Sequence, residues 1–263
     1  MELGLRDKVA LVTASSKGIG RAVALALAGE GARVSICARG APALEETARF
    51  IRRQTGAEVL ATPADISTAA GVEQVVEATL SHFGRIDILV CNVGGPPPGT
   101  FFDFDDAAWE RAFQQILMSV VRLCRRAAPD MRRRGWGRII TITSMAVKEP
   151  RPDLILSNVF RAGVTALVKS LANELAPFGI LVNNVMPNAV LTDRMYELAR
   201  RQAQAEGISE EEVLARWAQA IPVGRIAAPE EFAQVVLFLA SERAGYLTGI
   251  SVPVDGGSMR SLM

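Results

Sequence analysis

The sequence predicts one doubly wound α/β domain, a parallel sheet with helices on both faces, and three observations lead there. Short runs rich in Val, Ile and Leu alternate with longer helical patterns along almost the whole chain. Most of those runs are apolar at every position, as strands are when helices cover them above and below. A glycine-containing turn joins the first run directly to the first helical pattern, an arrangement with which such sheets hold phosphate.

Taken in order, strands are expected at residues 9–13, 33–37, 58–62, 86–91, 138–143, 180–186 and 251–254, and helices at 18–29, 41–53, 69–83, 107–134, 157–178 and 229–241. Parallel neighbours need crossovers of a dozen residues or more, which those helices supply. The clearest is 157–178, where Phe160, Val164, Leu167, Val168, Leu171 and Leu175 form one stripe. Ser157 and Arg161, four apart, share a neighbouring face. Pro129 is expected to kink or end the 107–134 helix. The longest stretch without a strand, 187–226, reads as a functional lid inserted before the last strand. With 263 residues and no linker, repeat or low-complexity tract, a single domain over 1–263 is the simplest account.

Composition narrows the function. Lys and Arg number 29 against 28 Asp and Glu, so no polyanion such as nucleic acid is expected as a partner. Cys37, Cys91 and Cys124 are odd in number and far apart in sequence, which fits neither a disulfide framework nor a zinc cluster and agrees with a reducing, cytoplasmic setting. A single histidine, His82, excludes a multi-histidine centre, and no metal is expected. The N-terminus lacks a signal-peptide core, no apolar run approaches about 18 residues, and no membrane is expected. The arginines at 122, 125, 126, 132, 133 and 134 read as a solvated helix face.

The first strand runs into Thr13, Ala14, Ser15, Ser16, Lys17, Gly18, Ile19 and Gly20, and a helix follows at once. Such a turn lets the backbone approach a pyrophosphate and aims free N–H groups and the helix dipole at it. About 20 residues on, an NAD-binding fold of this kind places a carboxylate against the ribose 2′-hydroxyl. Here Ala38 and Arg39 stand there instead. An arginine fork pairs with a 2′-phosphate, and Lys17 adds a second positive charge, so NADP(H) is preferred over NAD(H).

Over nearly its whole length the chain resembles the classical short-chain dehydrogenase/reductases, a Rossmann-like one-domain family. The resemblance runs through Asp65 with Ile66, then Asn92, Val93 and Gly94, Ser144, Asn183, Pro187 with Asn188, and Thr192. It continues through Thr248 and Gly249 to Asp255, Gly256 and Gly257. It implies a cofactor site built from Thr13, Ser15, Ser16, Lys17, Gly18, Ile19, Gly20, Arg39, Asp65, Ile66, Asn92, Gly94, Arg161, Pro187, Asn188 and Thr192. It also implies a homo-oligomer, tetramer or dimer, with Leu117, Val120 and Val121 compatible with an interface or an ordinary core face. Ala14 stands where the family has its first glycine, and Asn188 where a glycine follows the proline. A left-handed backbone at Ala14 would cost about 1–2 kcal/mol.

The family works through Asn, Ser, Tyr and Lys, and alignment on Ser144 places Ile116, Ser144, Ser157 and Arg161 at those positions. Only the serine survives. A serine hydroxyl is too weak an acid to replace a phenol, and arginine does not release its proton in a protein. Arg161 remains able to stabilise an alkoxide or hold the nicotinamide ribose. For a replacement acid, Lys148 leads by its reach from the loop after Ser144, provided it is partly buried. Tyr196 in the lid, Tyr246 as a structural residue, His82 at the far sheet edge and Glu149 paired with Arg161 rank below it. The chain is similar to a branch carrying Ser-Asn-x-x-Arg for Tyr-x-x-x-Lys, whose members resemble 3-oxoacyl-carrier-protein reductases. The resemblance implies an NADP(H)-dependent oxidoreductase interconverting a carbonyl and an alcohol, its proton coming from water or Lys148. The alternatives are a dinucleotide-binding sensor or partner subunit with little activity, and a lyase or isomerase on the same scaffold.

Overall fold

The computed structural model describes residues 2–261. Seven parallel strands form one sheet: β1 (Val9–Val12), β2 (Arg33–Ala38), β3 (Val59–Pro63), β4 (Ile88–Cys91), β5 (Gly137–Ile142), β6 (Ile180–Pro187) and β7 (Ser251–Val254). The helices are α1 (Gly18–Gly29), α2 (Ala41–Thr55), α3 (Ala69–Phe83), α4 (Asp106–Ala112), α5 (Ser119–Arg134), α6 (Ile155–Leu175), α7 (Asp193–Glu206), α8 (Glu210–Gln219) and α9 (Pro229–Ala240). Strand order is β3-β2-β1-β4-β5-β6-β7. The chain therefore winds outward from β1 in one direction, returns to its other side at β4, and winds outward again. That reversal opens a crevice at the carboxyl ends of β1 and β4.

Alternation along the strands explains why the runs are apolar throughout. Ala10 and Val12, Ile88 and Val90, and Ile140 and Ile142 enter the layer built with α1, α2 and α9. Their neighbours Leu11, Leu89, Cys91 and Ile139 enter the opposite layer with α3, α5 and α6. Each large apolar side chain fully buried this way contributes about 1.5–3 kcal/mol. On α6, Val164, Val168 and Leu175 are buried while Phe160, Leu167 and Leu171 pack partly buried against the same core, so the predicted stripe faces the sheet. With its terminal turn, α6 is the one described helix long and apolar enough to cross a membrane, yet it packs on the sheet and contributes to this core.

One expectation needs correction. The helix carrying Pro129 does not end there: α5 continues to Arg134 and closes on Gly135 at φ 67°. A proline inside a helix removes a donor and crowds the preceding turn, but buried Leu123, Cys124, Ala127 and Met131 hold this segment in place on both sides of it. The break in regularity comes earlier, as a π-helical turn over Phe113–Met118. The arginines of this region form a solvated face as expected, with Arg125, Arg132 and Arg133 exposed, and several of them also pair along it. Arg126 pairs with Glu73 at 2.7 Å, Arg134 with Asp87 and Asp130, and Arg122 donates to the Ser67 carbonyl at 3.0 Å. Val120 is buried and Leu117 partly buried in the α3/α5/α6 layer.

The insertion before β7 folds as α7 and α8 around a small core of Ala199, Ala203 and Val213. Its ends are pinned together by a bridge between Val190 and Ala227.

Candidate active site

The crevice is built by the turn after β1. Thr13 is fully buried and donates from Oγ1 to the Asn92 carbonyl at 2.7 Å, while accepting from the Asn92 N–H at 2.9 Å. Ser15, also fully buried, donates to the Val12 carbonyl at 2.8 Å and accepts from the Cys37 N–H at 3.2 Å. Thr13 and Ser15 thus face inward and shape the turn rather than line the cavity, a correction to their expected place in the cofactor wall. Between them Ala14 adopts φ 47°, the left-handed region that alanine avoids at about 1–2 kcal/mol. Its carbonyl accepts from Asn92 Nδ2 at 3.2 Å. Gly20 must be glycine, because a Cβ there would overlap the Ala14 carbonyl and come within 2.9 Å of Asn92 Nδ2.

Where α1 begins, no side chain caps its first N–H groups and no acidic residue lies in its first turn. Those donors and the dipole face a cavity of about 610 Å³, within the range of cofactor sites. Ser16, Lys17, Gly18 and Ile19 line it beside the turn, and Arg39, Asp65 and Ile66 line it beyond β2 and β3. Asn92, Gly94, Arg161, Pro187 and Thr192 line the other side. The 187–226 segment borders the cavity through Pro187, Thr192, Asp193, Arg194 and Glu197. Thr192 rests against the turn, its Cγ2 3.1 Å from where a Gly18 Cβ would lie, and Asp193 pairs with Lys17 at 3.2 Å. Asn188 lies outside the lining because its amide donates to Ser258 Oγ at 2.9 Å. Asn183 is likewise structural, tied to the Leu247 carbonyl and the Ile250 N–H.

At the β4/β5 end stands Arg161, only 7% exposed. Its Nε donates to Ser157 Oγ at 3.2 Å, and its Nη1 to the Ile142 and Thr143 carbonyls, both at 3.0 Å. Nη2 has one long contact, 3.5 Å to the Val93 carbonyl. Every N–H on Nε and Nη1 is therefore used, and Nη2 alone keeps a donor for whatever enters the cavity. Among the described residues no carboxylate pairs with this cation. Burial alone lowers its pKa to about 10, which leaves it charged at neutral pH.

The other catalytic candidates stand apart from the lining. Ser157 is buried as Arg161's acceptor. Ser144 follows β5 just beyond Thr143, where its hydroxyl oxygen accepts from the Ala146 N–H at 3.1 Å and its proton stays free to donate. Lys148 is exposed and outside the cavity wall, so the partial burial required of it as an acid is missing. Glu149 does not pair with Arg161; it accepts from the Arg260 and Ser261 N–H groups at 2.6 and 3.0 Å. Tyr196 is half-exposed on α7, Tyr246 is fully exposed, and His82 pairs with Glu58 at 2.8 Å. Among the described residues, no tyrosine or histidine lines the cavity. Cys37 does, but burial pushes its thiol up to about 12, so it offers no thiolate near neutral pH. Cys91 and Cys124, distant in sequence, meet in the core, where their mutual hydrogen bond and burial raise the Cys91 pKa.

Sequence alignment missed one polar group. Ile116 is buried, whereas Gln115 lines the cavity and donates from Nε2 to the Gly94 carbonyl at 2.8 Å. The π-helical turn carries both residues, and such a turn shifts the facing of neighbouring positions. A polar neighbour beside an apolar residue at a family asparagine position was the available signal.

A family model described as "Enoyl-(Acyl carrier protein) reductase" matches residues 13–259. The NADPH-dependent reductase BacG of Bacillus subtilis (strain 168) is 32% identical over 262 residues, 98% of this chain and 100% of that one. The 3-oxoacyl-[acyl-carrier-protein] reductase FabG of Aquifex aeolicus is 33% identical over 257 residues, 98% of this chain and 99% of that one. The crystal structure of L-sorbose reductase from Gluconobacter frateurii, complexed with NADPH and L-sorbose, superposes with a TM-score of 0.96 at 37% identity, covering 100% of both chains.

The chain is a short-chain dehydrogenase/reductase. Membership places it among short-chain oxidoreductases of the carbonyl and alcohol class, and BacG and L-sorbose reductase are its NADPH-dependent or NADPH-bound relatives. The cavity fits that coenzyme. Uncapped N–H groups at the start of α1 suit a pyrophosphate, while Gly20, outside the cavity wall, gives room to the Ala14 carbonyl of the turn. Exposed Arg39 and Lys17 supply positive charge for a 2′-phosphate.

Proposed function

We propose that this short-chain reductase uses NADPH to reduce a small carbonyl compound, of which a 3-oxoacyl thioester is the leading candidate, without a tyrosine–lysine proton relay. The single observation that supports it most is the buried Arg161 guanidinium at the β4/β5 end of a cavity whose other end holds Arg39 and Asp65. Arg39 takes the 2′-phosphate, Asp65 the adenine side, and the α1 N-terminus the diphosphate. When bound, NADPH supplies the hydride.

The remaining work falls to the chain. Arg161 orients the nicotinamide half and stabilises negative charge through Nη2, as a fixed dipole or ion does in a site that excludes water. The free hydroxyl proton of Ser144 is donated to the substrate oxygen as a hydrogen bond. Ser157 keeps Arg161 in place. The product's proton comes from water, since exposed Lys148 and the outlying tyrosines are poorly placed to give it. A homo-oligomer, tetramer or dimer, belongs to the proposal; light scattering that gives a monomer would remove that part.

NADPH oxidation is to be followed with 3-oxoacyl thioesters, diketones, aldehydes and L-sorbose. Turnover that falls at least about tenfold in Ser144→Ala is expected, the loss of one oxygen-directed donor. Coenzyme binding without oxidation across that panel would instead favour a dinucleotide-binding protein. The absence of a phenol or imidazole from the described cavity wall is the observation that keeps this second reading.

A further inference from the structure

We infer that Arg161 makes the site selective for the redox state of its coenzyme, retaining NADPH and rejecting NADP+. This rests on the proposed orientation, with the nicotinamide at the β4/β5 end. The reduced ring is neutral, whereas the oxidised ring carries a full positive charge. Only the second meets a like charge in the wall.

The charges around the cavity show why Arg161 dominates there. Lys17 is balanced by Asp193 at 3.2 Å and Arg194 by Glu197 at 3.7 Å, both pairs on the lid side and open to solvent. Arg39 and Asp65 are exposed at the opposite end. Arg161 is buried, and its partners are a serine hydroxyl and three peptide carbonyls, all neutral. Arg134, by contrast, is matched by Asp87 and Asp130. Like unit charges within about 10 Å at an effective dielectric near 20 shift an equilibrium by about tenfold. Expulsion of the oxidised form drives release after reduction, and in a protein that does not turn over it makes occupancy follow the reduced-to-oxidised ratio.

Calorimetry with NADPH, NADP+ and adenosine 2′,5′-bisphosphate tests this on the wild type and on Arg161→Lys, Arg161→Met and Arg161→Gln. The wild type and the lysine variant should bind NADPH at least about tenfold more tightly than NADP+. That ratio corresponds to a rise of about 30 mV in the bound couple's potential. In the two neutral variants the ratio should fall several-fold, while affinity for the bisphosphate, which lacks a nicotinamide, stays unchanged and reports an intact site. Equal wild-type affinity for both redox forms would overturn the inference, as would a ratio that survives in a folded neutral variant. Should neither neutral variant fold, the wild-type ratio decides. Failure of all three ligands to bind the wild type would remove the nucleotide reading itself, a distinguishable result.

Discussion

Arg39 and Arg161 stand at opposite ends of one cavity, and the two ends are built by different rules. In the open part of the wall Arg39 and Lys17 are exposed, and Asp193 is within 3.2 Å of Lys17. Exposed charges of this kind are weak contributors to stability and are free to meet a ligand. At the β4/β5 end Arg161 is buried and holds the end of β5 through the Ile142 and Thr143 carbonyls, both at 3.0 Å. One end recognises; the other recognises and holds the fold. The difference teaches that a buried arginine fastened to a serine and to peptide carbonyls does structural work that an exposed arginine in the same wall does not.

The largest test of that contrast is stability. Arg161→Ala leaves buried carbonyl oxygens without donors, each worth about 1–3 kcal/mol, and should lower unfolding free energy by about 3–5 kcal/mol in denaturant titrations. Arg39→Ala should change it by less than about 0.5 kcal/mol. Equal effects at both sites would erase the distinction. Next in size, Arg39→Ala should weaken NADPH about tenfold or more while leaving NADH nearly unchanged, since a charge-assisted phosphate contact is worth about 1.5–3 kcal/mol. Parallel losses for both coenzymes would place the 2′-phosphate elsewhere.

Smaller effects refine the turn between the ends. Ala14→Gly relieves a left-handed alanine and should stabilise the protein by about 0.5–1 kcal/mol after glycine's own entropy cost, read as a higher melting temperature. A lower one would mean that Ala14 is not strained. Smallest of all, a double-mutant cycle on Lys17 and Asp193 should return a coupling below about 0.5 kcal/mol. A coupling several times larger would make the Lys17–Asp193 pair a structural clasp and the exposed part of the wall less different from the buried part.

The sheet was legible because both faces of each strand are buried, which leaves unbroken apolar runs between helices. The cavity wall was legible where glycine geometry or a strand end fixes a position, as at Gly18, Arg39, Asp65 and Asn92. Thr13 and Ser15 show what one sequence does not reveal: their type suits a phosphate wall, yet their hydroxyls turn inward to fasten the strands. Gln115 was hidden because a π-helical turn breaks the spacing on which alignment relies. Pro129 misled in the other direction, since packing around it holds the helix through to Gly135.

A crystal structure of the NADPH complex tests the central claim most directly. The account predicts the 2′-phosphate against Arg39, the diphosphate at the start of α1, and the nicotinamide half within hydrogen-bond reach of Arg161 Nη2. A coenzyme bound in the reverse direction, or with its nicotinamide away from Arg161, would contradict it.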